Sequence, residues 1–214
     1  MQGRAQFQDT AASLSETLKK LIDGIRGKQT VSLRDLMDGV GEQGLLLICA
    51  VASLPFLIPV SIPGISTVFG AAIILISLAI MLNRMPWLPK KILDRQLDTG
   101  KLVPALERGV QIVSRLDRLL KPRMTGLTSS AFANRLNGMA IALAGVLLMF
   151  PLGFVPFSNT LPGIAILLLS TGMIQRDGLV VAAGYAFNLA TIAYFAALAY
   201  LAFSAGQSAA SFFS

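Results

Sequence analysis

The chain has no histidine and a single cysteine among its 214 residues, and only 14% of its side chains are charged. Without histidine, the usual proton shuttle and the commonest metal ligand are missing, so histidine-based catalysis is excluded. The lone thiol, Cys49, sits in an apolar stretch; it permits no intrachain disulfide and reads as a small buried side chain. Charge is scarcer than the roughly 25% usual in soluble domains. Residues 44–82, 136–175 and 178–214 contain no Asp, Glu, Lys or Arg at all. A soluble core helix rarely runs past about 20 residues, so charge-free stretches this long point to a lipid bilayer. The opening MQGRAQFQDTAASLSETLKK holds no apolar run ahead of its charges, which predicts no cleaved signal segment.

The charge that is present is unevenly placed. Residues 1–43 balance six basic against six acidic side chains, whereas 83–135 hold eleven basic and four acidic ones and so carry the whole net charge of +7. A basic connector between two apolar blocks is the positive-inside signature, which places it in the cytoplasm beside anionic lipid and predicts a multi-pass inner-membrane protein. No aromatic or glycine-rich recognition pattern accompanies these charges, so nucleic acid is not an expected partner. Membrane lipids are, with a second copy of the chain as a further candidate.

Five segments follow from these patterns. In residues 1–43, SLSETLKKLIDGIRGK pairs Ser13 with Glu16 at capping-box spacing and sets Leu14, Leu18, Leu21 and Ile25 on one face. SLRDLMDGV repeats a looser box with Ser32 and Asp35. Both read as amphipathic helices that cover the rest of the protein or lie on the membrane or a partner. Residues 44–82 form a first apolar hairpin. The connector, 83–135, includes an amphipathic stretch with Leu106, Val110, Val113, Leu116 and Leu120 on one face, and Trp87 nearby as an interfacial anchor. Residues 136–177 form a second hairpin, and 178–214 a terminal membrane helix with its tail, whose core is the 25-residue run from Leu179 to Phe203. The expected class is an all-α membrane protein with two repeated re-entrant-type hairpins, one C-terminal transmembrane helix and amphipathic surface helices.

The hairpins are similar to each other. STVFGAAIILISLAIML from Ser66 and NTLPGIAILLLSTGMIQ from Asn159 align at a constant offset of 93, matching Thr67, Gly70, Ala72, Ile73, Leu75 and Ser77 to Thr160, Gly163, Ala165, Ile166, Leu168 and Ser170. Gly44 corresponds to Gly138 ahead of each first limb. Each hairpin is broken by proline and glycine: Pro55, Pro59, Pro63 and Gly64 in the first, Pro151, Pro156, Pro162 and Gly163 in the second. The first hairpin's limbs are about 22 and 25 Å long, short of the roughly 30 Å hydrocarbon core. Irregular backbone at membrane depth persists only when enclosed by protein or facing a wet cavity. The breaks therefore either shape a shared interior site or form two tight turns at the far surface.

Several strings carry a family resemblance: SLRDLMDGVGEQG, LPFLIPVSIPGISTVFG, RMPWLPKKI and FSNTLPGIAILLLSTGMIQRDG, in that order. They resemble the ExoD family of bacterial membrane proteins over residues 30–200. The resemblance implies a role in exopolysaccharide synthesis and, with it, polysaccharide-synthesis proteins as partners. Members usually read Glu-Arg-Asp-Gly at the last motif; here Gln175 stands in place of the glutamate. The doubled re-entrant plan is also similar to that of DedA-type lipid transporters. Exopolysaccharides are assembled on a polyprenyl phosphate that must be recycled across the membrane, so transport of an ion or lipid-linked phosphate is the expected function. A non-transporting scaffold for synthesis enzymes is the alternative.

The candidate substrate-binding residues are Glu42, Arg84, Arg135, Asn159, Arg176 and Asp177. Glu42 and Arg135 precede the two hairpins and can pair with each other. Arg84 and Arg176 follow them and can each hold a phosphate or anchor at the headgroups. Asp177 is a partner for Arg176 or an N-cap of the last helix. Ser66, Thr67, Asn159 and Thr160 start the returning limbs, where they can cap free N–H groups or touch a ligand. No spacing assembles a nucleophile, a base and an oxyanion site, so neither a catalytic residue, a metal nor a cofactor is expected.

Overall fold

A computed structural model of the chain describes residues 14–57, 64–82, 94, 96–100, 102–104, 106–107, 110–111, 114, 124–150 and 155–212. Their regular elements run in the order α1 (Leu14–Ile25), β1 (Thr30–Ser32), α2 (Leu33–Ser53) with a 3-10 turn (Leu54–Leu57), α3 (Ile65–Met81), β2 (Gln96–Asp98), a second 3-10 turn (Thr125–Leu127), α4 (Ala131–Met149), α5 (Thr160–Ile174) and α6 (Gly178–Phe212). Ser13, Pro59, Pro63, Arg84, Trp87, Val113, Leu116, Leu120, Pro151 and Ser214 lie outside the described residues.

The amphipathic start folds on its own chain. Leu18, Ile22 and Ile25 are buried at helical spacing on α1. Leu18 packs with Leu47, Leu106, Val110 and Ile174, and Ile25 with Val31, Leu102, Val103 and Leu106. This face is therefore occupied by α2, the end of α5 and the connector. The unanticipated element is the antiparallel ribbon β1–β2, which pairs Thr30 with Asp98, Val31 with Leu97 and Ser32 with Gln96. Thr99 reinforces it: its hydroxyl donates to the Lys28 and Gln29 carbonyls. Arg26 and Glu107 add an ion pair at 3.0 Å, with both side chains largely exposed, so it contributes little.

Ser32 caps α2 as its spacing predicts, accepting from the Asp35 backbone N–H at 3.2 Å and donating to Asp35 Oδ2 at 2.7 Å. The helix then breaks at Gly41, whose φ of 59° and ψ of −146° are open only to glycine. Beyond that kink the apolar limb extends to Leu57. The kink at Gly41 lies just ahead of Gly44, where the first apolar block begins.

The bundle is cross-packed. α3 lies against α4 so closely that a Cβ on Gly70 would come within 2.9 Å of the Gly145 carbonyl oxygen, and one on Gly138 within 3.3 Å of the Ser77 carbonyl oxygen. The two helices are therefore antiparallel. The end of α2 and its 3-10 turn also pack closely on α5, with a Gly163 Cβ 3.0 Å from Phe56 and 3.6 Å from the Ser53 carbonyl oxygen. Tyr185 bonds to Asn137, and Asn188 to Ala140, which makes α4 and α6 parallel. α4 and α6 therefore run one way and α3 the other. The core between the helices holds Leu46, Cys49, Ile73, Ile141, Leu148, Ile166 and Leu169.

Two expectations change. Pro162 and Gly163 do not break a helix: they lie in the first turn of α5, where a missing N–H is tolerated, and Gly163 serves close packing. The terminal helix extends beyond Phe203 to Phe212, because SAGQSAASF contains no proline and is rich in alanine, the best helix former. Its 35 residues give a rod about 52 Å long. Ala131–Met149 and Gly178–Ala205 are each long and apolar enough to cross a membrane. Half of the former's most apolar stretch is buried, but only 11% of the latter's.

Candidate functional site

Glu42, Arg135, Arg176 and Asp177 lie at one end of the bundle, where α4 and α6 begin and α5 ends. Glu42 follows the Gly41 kink and accepts from Asn134 Nδ2 at 3.2 Å. The expected pairing thus reaches α4 one residue early. A single step along a helix turns a side chain by about 100°, which leaves the Arg135 guanidinium exposed. Ser130 begins α4 as its N-cap, accepting from the Ala133 N–H at 3.0 Å.

QRDG is an αα corner. Arg176 is left-handed, with φ 52°. Its N–H donates to the Met173 carbonyl at 3.3 Å, and the Asp177 N–H to the Gly172 carbonyl at 2.8 Å. Those two bonds form the Schellman closure, which usually places glycine where Arg176 stands. Asp177, 3% exposed, then caps α6: Oδ1 accepts from Leu179 N at 3.0 Å and Val180 N at 3.4 Å. Of the two roles open to Asp177, the cap is the one seen. Arg176 is exposed, and neither it nor Arg135 makes an ion pair among the described residues.

The residues after the connector brace this corner. A Cβ on Gly178 would lie 2.2 Å from the Met124 carbonyl oxygen, so only glycine fits. Thr128 Oγ1 donates to the Arg176 carbonyl at 3.3 Å. Asn137, 1% exposed, donates to the Leu127 carbonyl at 2.8 Å and accepts from the Tyr185 hydroxyl at 2.9 Å. Asn188 donates to the Ala140 carbonyl at 2.9 Å one turn further on. Sequence reasoning missed this ladder. Its signal is plain in retrospect: an asparagine in the charge-free run YAFNLAT has to find a partner inside the protein.

Asn159 is not part of this group. It begins α5 at the opposite end, about 22 Å away along that helix, and its side chain makes no capping bond. Ser66, Ser158, Asn159 and Thr160 are all buried there, whereas Thr67 is exposed. Gly64, left-handed at φ 88°, begins α3 without a side-chain cap. Pro55 and Pro156 are exposed at this end, and the Tyr194 hydroxyl donates to the Pro156 carbonyl at 2.8 Å. The six candidates are thus divided between two ends of the bundle, with Arg84 outside the described residues.

A helical bundle with a long exposed apolar helix, and at one rim two exposed arginines that make no ion pair among the described residues, is the class that fold and site define. The chain belongs to the ExoD family, described as exopolysaccharide synthesis, and matches it over residues 14–197. It is 64% identical over 208 residues to Protein ExoD of Rhizobium meliloti (strain 1021), covering 97% of this chain and 86% of that one. It is 28% identical over 178 residues to Uncharacterized protein slr1875 of Synechocystis sp., covering 83% of this chain and 82% of that one. No solved structure matches.

Proposed function

We propose that the protein is a multi-pass inner-membrane protein that supports exopolysaccharide synthesis by moving an ion or a lipid-linked phosphate between its two hairpins. The membrane placement draws support from α6 and from the outward faces of the other helices, where Val51, Val68, Leu75 and Met139 are all more than half exposed. Contiguous apolar surface of that kind needs a non-aqueous neighbour. The cross-packing of α2 on α5 and α3 on α4 is what a pseudo-two-fold repeat produces, and it supports reading 44–82 and 136–177 as duplicates.

One observation carries the transport reading: Arg135 and Arg176 stand exposed at the rim of an apolar bundle, with no ion-pair partner among the described residues. A guanidinium presents a rigid fork that matches phosphate oxygens. The scaffold alternative, working through the N-terminal helices, has less to draw on, because Leu18 and Ile25 of α1 are already packed against the chain itself.

Reconstitution into proteoliposomes tests the proposal. A short-chain polyprenyl phosphate and protons are the two cargoes to follow, with Arg135→Ala and Arg176→Ala as controls. Flux that falls at least several-fold in these variants supports transport. No flux of either cargo, together with co-purification of a synthesis enzyme, refutes it in favour of the scaffold.

A further inference from the structure

Asn188 is 3% exposed, and its amide orientation is set by the bond from Nδ2 to the Ala140 carbonyl. That leaves Oδ1 buried with no protein donor among the described residues. A buried acceptor without a donor is strongly disfavoured, and a leucine of similar size would remove the difficulty altogether. Retaining the amide implies that something donates to it. Asn188 lies ten residues into α6, about 15 Å. On the membrane reading above, on which this depth rests, that is the middle of a roughly 30 Å apolar layer.

We infer that an ordered water molecule is bound at mid-depth between α4 and α6, donating one proton to Asn188 Oδ1. A cation is disfavoured, because residues 136–175 and 178–214 offer no carboxylate to offset its desolvation. Water needs a second polar partner, and Tyr185 provides one a turn below on the same face. Its hydroxyl donates to Asn137 Oδ1 and keeps a lone pair to accept the second proton. The ladder continues from Asn137 to the Leu127 carbonyl, next to Thr128, which holds the Arg176 corner. The water thus terminates a line of hydrogen-bonding groups that leads from the arginine rim to the bundle centre.

A high-resolution structure of the full chain in lipid nanodiscs is the direct test. Density at about 2.8 Å from Asn188 Oδ1 is expected, and its absence beside a well-ordered Asn188 overturns the inference. Asn188→Leu gives an independent measure. If water satisfies the amide, the variant loses a bonded group and its apparent Tm falls by about 2–4 °C. A rise in Tm would mean that Oδ1 is an orphan and would overturn the inference as well. Absence of flux in proteoliposomes, with the density present, would sink the transport proposal and leave this one standing.

Discussion

Replacing Arg176 with glycine should make the protein more stable. A left-handed backbone costs an L-residue about 1–2 kcal/mol, which glycine does not incur. Glycine also frees the unfolded chain, an opposing effect of about 0.4–1 kcal/mol. The exposed guanidinium makes no ion pair among the described residues, so little is lost with it. The net gain is about 0.5–1 kcal/mol, or about 1–4 °C in apparent Tm for a chain of this size. Arg176→Ala keeps the left-handed strain and removes the side chain, so it should melt within about 1 °C of the natural protein. Thermal unfolding of both variants in detergent, followed by circular dichroism, gives the comparison. The order Gly above Arg, with Ala close to Arg, is expected. A glycine variant that melts lower would refute the corner geometry or reveal a stabilising contact of the guanidinium. A more stable protein with lost flux would show why arginine occupies a glycine position: strain retained at an αL site is a mark of function.

Gly178→Ala drives a Cβ into the Met124 carbonyl and should lower stability by about 3 kcal/mol, whereas Gly126→Ala, with none of the described residues within 4 Å of its Cβ, should change thermal unfolding little. Asp177→Ala should lose about 1 kcal/mol of capping; Asp177→Asn should restore most of it, and equal losses in both would argue for a role of the charge itself. Tyr185→Phe strips the donor from buried Asn137 Oδ1 and should destabilise by about 1–3 kcal/mol in the same assay. A cysteine at exposed Ser129, in the otherwise intact chain, should resist membrane-impermeant label added from the periplasm; rapid labelling would reverse the proposed topology.

The local signals in the sequence were sound. Ser32 caps where its spacing says, and Leu18 and Ile25 form the buried stripe of α1. The aligned glycines Gly70 and Gly163 both fall at close helix crossings, and the aligned serines Ser77 and Ser170 are both fully buried. What escaped notice depends on distant partners. Three-residue strands such as TVS and QLD are too short to show alternation, and only their pairing identifies them. Repeat alignment fixes position along a helix and not the face it presents, so it does not distinguish Arg135 from Asn134, which donates to Glu42. Arg176 gave no warning of its left-handed backbone, since the usual marker of that turn is a glycine.

The ribbon that ties residues 30–32 to residues 96–98 also sets an order of assembly. Its second strand is made about 3–13 s after its first at typical rates of translation. Throughout that interval the whole first apolar hairpin leaves the ribosome while the N-terminal arm has no strand to pair with. Ribbon closure therefore cannot begin until residues 44–82 have been made, and the strands are available to pair before residues 136–177 are complete. A mispositioned first hairpin would hold Val31 and Leu97 apart, leaving an unpaired strand edge as a ready mark for proteolysis before the chain is finished.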